Sequence, residues 1–375
     1  MSKIENIKFT WVRAPLEKPV SAFGMAFTFR DYLLCQLRCA DGTEGIGFSY
    51  VGVGGGRAAL YTAADLFGPR LLSKNADHIE SLWQAMYNAT LIQGRAGIVM
   101  NALSAIDIAL WDRKARSLNQ PLCRLLGGDV DAPIPVYASG GYYADGKGLD
   151  GLRSEVEAWR KSGFTAVKIK AGKLSLVEAQ QRIEVVRDVM GDQALLMLDL
   201  YNAMDNLGQA VQFAEMAQAY NPYWIEDPFK PDDIDNFTRL SQRIKTPLAT
   251  GEFHYSPHTF RSIIDSGAAQ IIQAEAPRVG GITQWRKIAA LVSGSGAAVN
   301  PCWFHQLHAQ LLPSVSGGEF VEYFPDNSVL NFNRLIKGDE MTLDNGVLHL
   351  SKKAGIGFDF DEDVIQSFEH ETIRF

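Results

Sequence analysis

Three acidic residues stand at matching places in three successive β-rich segments. Asp199 lies at the end of ALLMLDL (194–200), Glu226 in YWIEDP (223–228) and Glu252 at the end of TPLATGE (246–252). The preceding segment of the same kind, TAVKIK (165–170), ends in Lys168 and Lys170. Residues two apart on a strand share a face and lie about 7 Å apart along the chain, so the two ammonium groups point the same way. Two ammonium groups near each other and near a divalent cation favour loss of a proton, which lowers a lysine pKa toward the range of a general base. The plain alternative is a pair of exposed lysines at a strand end. Taken singly, each acid reads more readily as a helix cap or a surface partner. Three on neighbouring strands converge on one point and repel one another unless a cation joins them. Magnesium takes oxygen ligands octahedrally at about 2.0–2.1 Å and keeps places for water or substrate, so three carboxylates suit it. Zinc fits less well, since no His or Cys joins the set.

These residues need a scaffold that brings strand ends together. From about residue 133, short β-rich runs alternate with helical stretches at intervals of roughly 23 to 30 residues. Besides the four above, the runs are IPVYAS (134–139), AQIIQAE (269–275), AAVNPC (297–302) and FVEYF (320–324). Strands separated by helices run parallel, and eight such units close into a (β/α)₈-type barrel whose function sits at the C-terminal strand ends. The later runs end in Glu275, Cys302 and Glu322, and the last unit looks incomplete. Ahead of them, residues 1–125 read as an α+β domain: strand-like IKFTWVRAPL and RDYLLCQLRC, then helical patterns over 58–68, 78–91 and 98–117. NALSAIDIALWDRKA carries the clearest amphipathic pattern. The expected division is 1–125, a barrel over 126–330, and a C-terminal segment, 331–375, that packs back on the first domain.

Composition bounds the function classes. A formal charge of −7 and a pI near 5.6, with no basic run, oppose nucleic-acid binding. No apolar run is long enough for a membrane span, and the opening MSKIENIKFTWVRAP is too polar for a signal peptide. Cys35, Cys39, Cys123 and Cys302 have neither metal-finger spacing nor a secreted framework. Reduced thiols and a cytoplasmic location are the expectation.

The Lys-Ile-Lys of VKIKAG, LDLYNAMD, WIEDPF, TGEF and RVGGIT together resemble the mandelate racemase branch of the enolase superfamily. The likeness spans nearly the whole chain, including NALSAIDIALWDRKARSLNQPLCRLLGG and the VEY of the eighth run. The resemblance implies an α/β protein: a (β/α)₇β modified TIM barrel under an α+β N-terminal capping domain completed by the C-terminal segment. It implies Mg²⁺ held by Asp199, Glu226 and Glu252, with the substrate carboxylate on the metal. It also implies Lys170 as the base on one face of the α-carbon, Lys168 neutralising the carboxylate, Glu322 bonding a carboxylate oxygen, and an enediolate product. A homo-oligomer is expected on the same ground. The physics agrees, because the α-proton of a carboxylate is very weakly acidic and the second charge must be stabilised as it forms.

The sequence departs from that family at the opposite face. Where a His on strand seven and an Asp on strand six are usual, it has Cys302 and Glu275. Cys302 reads as a thiol acid or base, its pKa open to a downward shift beside positive charge, or as a small buried residue. His254 and His305 are near enough in sequence to reach the cavity, though each reads equally as a packing histidine. Tyr201, His254, Phe23 and Met25 are the expected substrate contacts, the last two in a loop with Phe27. GVGGG (52–56) lacks a Walker lysine and the dinucleotide spacing, and reads as a lid. The expected reaction is loss of water from an acid sugar, giving a 2-keto-3-deoxy acid. The alternatives are racemisation of a 2-hydroxy acid and a silenced, metal-dependent acid-binding protein.

Overall fold

A computed structural model of the chain describes every residue except Met1, Phe23, Gly24, Asp145 and 327–329; the side chains of Lys18, 20–22, Met25 and Ala26 are likewise outside the description. The expected contact from Phe23 and the side-chain contact from Met25 therefore fall outside the described residues.

The N-terminal sheet is built from β1 (Ile4–Ala22), β2 (Met25–Cys39) and β3 (Glu44–Gly52), all antiparallel. In β2 the period of two buries both faces. Leu33, Cys35 and Leu37 join one apolar cluster with the helices of this domain, while Tyr32 and Leu34 join the larger cluster that runs into the barrel. Arg30, in register with them, is also buried.

Helix Ile98–Ser117 differs from its amphipathic reading. It is buried on nearly every side from Met100 to Ala115, because it is sandwiched between the sheet and the barrel helix Ile282–Ser295. Gly45 and Gly47 permit the approach: a Cβ on either would lie 2.2 Å from the Ala109 carbonyl oxygen or 2.1 Å from that of Ala105. From the same helix, Asp107 accepts from the Thr283 backbone N–H at 2.8 Å and its hydroxyl at 2.6 Å, so the cap holds the first turn of a barrel helix.

The barrel strands are β4 (Ile134–Gly140), β5 (Ala166–Lys170), β6 (Leu195–Asp199), β7 (Trp224–Glu226), β8 (Leu248–Thr250), β9 (Ile271–Ile272), β10 (Ala298–Val299) and β11 (Val321–Tyr323). They pair in parallel from β4 to β10, β11 pairs with β4, and a Val299–Gly318 bridge closes the ring. The eight runs of the sequence are these eight strands. The return helices are Leu149–Lys161, Leu176–Met190, Leu207–Gln218, Ile234–Ser241, Pro257–Asp265, Ile282–Ser295 and His305–Leu311, so the order is (β/α)₇β. Local chemistry starts several of them. Ser175 and Glu178 form a reciprocal capping box, and Asn206, Asp233 and Ser256 each accept a first-turn N–H.

The C-terminal segment divides. β12 (Ile336–Lys337) pairs with β15 (Asp359–Phe360); β13 (Thr342–Asp344) and β14 (Val347–His349) form a hairpin on the barrel strand β4; β16 (Glu369–Arg374) adds an edge strand to β1. Among the described residues no helix is long and apolar enough to cross a membrane.

Candidate active site

The parallel register brings the charged strand ends together. Lys170 is in register with Asp199, and Asp199 with Glu226, on adjacent strands; Glu252 lies two residues beyond β8. Lys168, Lys170, Asp199, Glu226, Glu252 and Glu322 are all buried. Lys168 Nζ is 2.6 Å from Glu226 Oε1, 2.9 Å from Glu322 Oε1 and 4.0 Å from Asp199 Oδ2. Lys170 Nζ donates to Asp199 Oδ2, with the rings of Tyr201 and Tyr142 at 4.4 and 5.1 Å. The lysines are thus interior residues and not an exposed pair.

The expected fall in lysine pKa is reversed. Burial alone pulls both ammonium groups down, but Asp199 beside Lys170, and Glu226 with Glu322 beside Lys168, raise them well above the usual value. Burial likewise opposes the Asp199 and Glu322 carboxylates, and the lysines overcome it to hold both below the usual range.

The remaining acids lack such cover. Burial pushes Glu226 up to about 8 and raises Glu252, and it lifts Asp227 well above its ordinary value, with Glu252 and Glu226 adding repulsion. Among the described residues no group of three His, Cys, Asp or Glu side chains stands ready to hold a metal ion. Each acid is instead turned onto a protein donor. Besides the lysines, Trp224 Nε1 and Gln273 Nε2 bond Glu226 Oε2 at 3.0 and 2.7 Å, and Trp303 Nε1 bonds Glu252 Oε2 at 2.7 Å. The donor set nevertheless fits a hard divalent cation. The oxygens are carboxylates on neighbouring strand ends, burial raises Glu226 and Glu252 so that added positive charge would favour their ionised forms, and the buried Asp227 Oδ2 has no hydrogen-bond partner.

On the opposite face, Cys302 is buried with its Sγ on the Gln273 carbonyl oxygen at 3.6 Å. Burial and the carboxylates of Glu252, Glu275 and Glu322 push its thiol well up, contrary to the expected downward shift. Among the described residues no hydrogen bond joins Glu275 to Cys302, and Glu275 Oε1 has no partner. Its Oε2 accepts from Arg278 Nε at 3.0 Å, and burial raises it to about 7. His254 packs edge-on against Phe260 at 6.0 Å, and burial lowers it to about 4. His305 lies against Tyr323 at 4.6 Å and is lowered by burial to about 3. Both histidine rings thus pack against aromatic neighbours. Tyr201 does line the site: its N–H donates to Asp199 Oδ1 at 2.8 Å, and it packs against the Leu16 and Phe27 pair of the cap, as does Val53. Val53 places the glycine-rich segment beside this wall, while Gly56 N–H is tied to Asp31 Oδ2 at 3.3 Å.

Several contributors were missed in the sequence. Gln273 was legible, because it precedes Glu275 by two in the β-rich run AQIIQAE, where alternate residues share a face. Arg278, three residues beyond Glu275, was a readable partner. Nothing in the spacing marked Trp303, Trp224, Tyr142 or Arg30, whose guanidinium bonds the Tyr50 hydroxyl at 2.6 Å and lies 5.8 Å from the Trp303 ring.

A capping sheet over a (β/α)₇β barrel, with acids and a lysine pair at successive strand ends, defines an enolase-type architecture. Residues 6–127 match the mandelate racemase/muconate lactonizing enzyme N-terminal domain, and residues 151–364 match the enolase C-terminal domain-like family. The chain belongs to this mandelate racemase/muconate lactonizing enzyme family of the enolase superfamily. It is 31% identical to L-talarate/galactarate dehydratase of Salmonella typhimurium over 96% of this chain and 89% of that protein. It is also 31% identical to 3,6-anhydro-alpha-L-galactonate cycloisomerase of Streptomyces coelicolor, over 85% of this chain and 88% of that one. The crystal structure of L-talarate dehydratase from a Polaromonas species, complexed with Mg and L-glucarate, superposes with a TM-score of 0.92 at 26% identity, covering 100% of this chain and 99% of that one.

Proposed function

We propose that this protein is a Mg²⁺-dependent acid-sugar dehydratase that converts an aldonate or aldarate to a 2-keto-3-deoxy acid. The observation that carries the reading is the one-sided site: a buried lysine pair among strand-end carboxylates faces a wall where Cys302 bonds a carbonyl and Glu275 is taken by Arg278. The Mg²⁺-bound acid-sugar complex of the Polaromonas relative supports the cofactor and substrate class.

Asp199, Glu226 and Glu252 would hold the cation, which when bound would polarise the substrate carboxylate. Lys170 takes the α-proton once Asp199 no longer holds its ammonium form. Lys168 and Glu322, bonded to each other, bind and orient the carboxylate as its second negative charge develops. The C–H electron pair forms the enediolate, which collapses with loss of the β-hydroxyl. Lys170 returns the proton to that hydroxyl on the same face, water leaves, and the enol tautomerises to the ketone. Tyr201 lines the substrate cavity. Racemisation needs a second proton carrier, and on the opposite wall the Cys302 thiol is on the Gln273 carbonyl while Glu275 is paired with Arg278. The four cysteines are free and buried, which supports a reducing, cytoplasmic setting, and the 70% and 92% exposure of Leu91 and Ile92 supports a homo-oligomer.

Incubation with Mg²⁺ and a library of aldonic and aldaric acids should yield a 2-keto acid from at least one member. Turnover of none, or α-proton exchange with inversion and no keto acid, would overturn the reading.

A further inference from the structure

Four residues beyond the end of β10 the backbone changes character. Trp303 has φ 60° and Phe304 φ 28°, two successive non-glycine residues in the left-handed region. Such conformations are sparsely populated and persist where surroundings over-determine them. Here the surroundings are specific. The Trp303 backbone N–H donates to Glu322 Oε2 at 2.7 Å, and its indole Nε1–H donates to Glu252 Oε2 at 2.7 Å. One residue therefore grips carboxylates carried by two other strand ends, beyond β8 and on β11. Its ring stacks on Tyr50 of the cap at 5.3 Å and 19°.

The carbonyl of Trp303 is held as well. His308 is fully buried, and its Nε2 accepts the Ala276 backbone N–H at 3.0 Å. That contact leaves the ring proton on Nδ1, which donates to the Trp303 oxygen at 3.0 Å. The neutral ring so ties the segment after β9 to the segment after β10.

We infer that Trp303 is a positioning residue that fixes the orientation of the Glu252 and Glu322 carboxylates, and that His308 in this tautomer locks its strained backbone. The indole bond holds one Glu252 oxygen and so settles which oxygen faces the cation. The inference rests on the proposed metal site in that Glu252 is taken as one of its ligands.

Isothermal titration of the full-length protein with Mg²⁺ alone, without substrate, tests it. Trp303→Phe keeps an aromatic ring and the backbone N–H and removes only the indole donor. Loss of a group that orients a ligand costs about 10- to 100-fold in metal affinity. Trp303→Phe is therefore expected to weaken Mg²⁺ binding by that factor with the melting temperature in chelator unchanged. An unchanged Mg²⁺ affinity, or a fall in melting temperature with no change in affinity, would overturn the inference. His308→Gln is the second variant. Because both act through the same indole, the pair should weaken binding by less than the product of the single effects; independent effects would overturn the assignment of His308 as the lock. If the wild-type protein fails to bind Mg²⁺, the metal reading itself is refuted, an outcome distinct from an unaffected variant.

Discussion

Replacing Lys170 with methionine separates the one-sided site from a two-base site. The substitution keeps the length of a buried side chain and removes the amine that bonds Asp199. A positioned general base contributes about 10²- to 10⁴-fold, which at about 1.36 kcal/mol per decade is roughly 2.7–5.4 kcal/mol of barrier. In a two-base site a partner would keep exchanging the α-proton from the other side. Here Cys302 rests on the Gln273 carbonyl and Glu275 on Arg278, so the full loss should appear. Lys170→Met should lower 2-keto acid formation by at least about 100-fold and lower α-proton exchange in D₂O equally, as read by proton NMR. Cys302→Ser, which keeps a small donor, should stay within about tenfold of wild type, short of a general base's share. The reasoning fails if Lys170→Met stays within tenfold, or if Cys302→Ser is as damaged as Lys170→Met.

Chelation with EDTA should abolish turnover and Mg²⁺ should restore it; activity that survives exhaustive chelation would remove the cation from the chemistry. In mild acid His305 and His308 should each subtract from stability, since burial holds them down to about 3 and about 4 against an unfolded value near 6.5, while Glu226 and Glu275, raised to about 8 and about 7, act with the opposite sign. Below the histidines' unfolded value the unfolded chain binds their protons first, so each histidine removes up to about 1.36 kcal/mol per pH unit, an effect absent above pH ~6.5. The urea midpoint of His305→Gln, taken relative to wild type, should rise as pH falls from 7 to 5, and a difference that does not change with pH would contradict this. Gly47→Ala should cost about 1–3 kcal/mol and lower the melting temperature, because the new Cβ meets the Ala105 carbonyl oxygen at 2.1 Å; an unchanged melting temperature would show that the helix can move away.

The barrel was legible because parallel strands and their return helices impose a regular rhythm, and function in such barrels concentrates at one end of each strand. Asp199, Glu226 and the lysine pair could be read from that rule alone. The opposite wall could not. Cys302 and Glu275 were placed correctly along the chain, but their roles depend on Gln273 and Arg278, side chains whose direction spacing does not reveal. The pKa of Lys170 went the other way for a related reason: distance to Asp199 is set across strands, whereas the sequence shows only the neighbouring lysine. The helix at 98–117 misled because its polar residues are spent on buried partners, such as Asp107 on Thr283 and Asp112 on the Ile46 N–H. Trp303 left no trace, since a left-handed turn at a tryptophan is decided by what surrounds it.

The strand Glu369–Arg374 lies beside β1, with Lys8 opposite Arg374 and Val12 opposite Glu369. An edge of the first domain is thus supplied by residues that emerge from the ribosome after the whole barrel. Contacts of such sequence separation close late, because the intervening loop must be ordered before they form. Without that strand β1 is open along one side. The capping sheet over the catalytic chamber therefore has its full width only with Glu369–Arg374 in place, so residues on either side of the barrel in sequence share one edge.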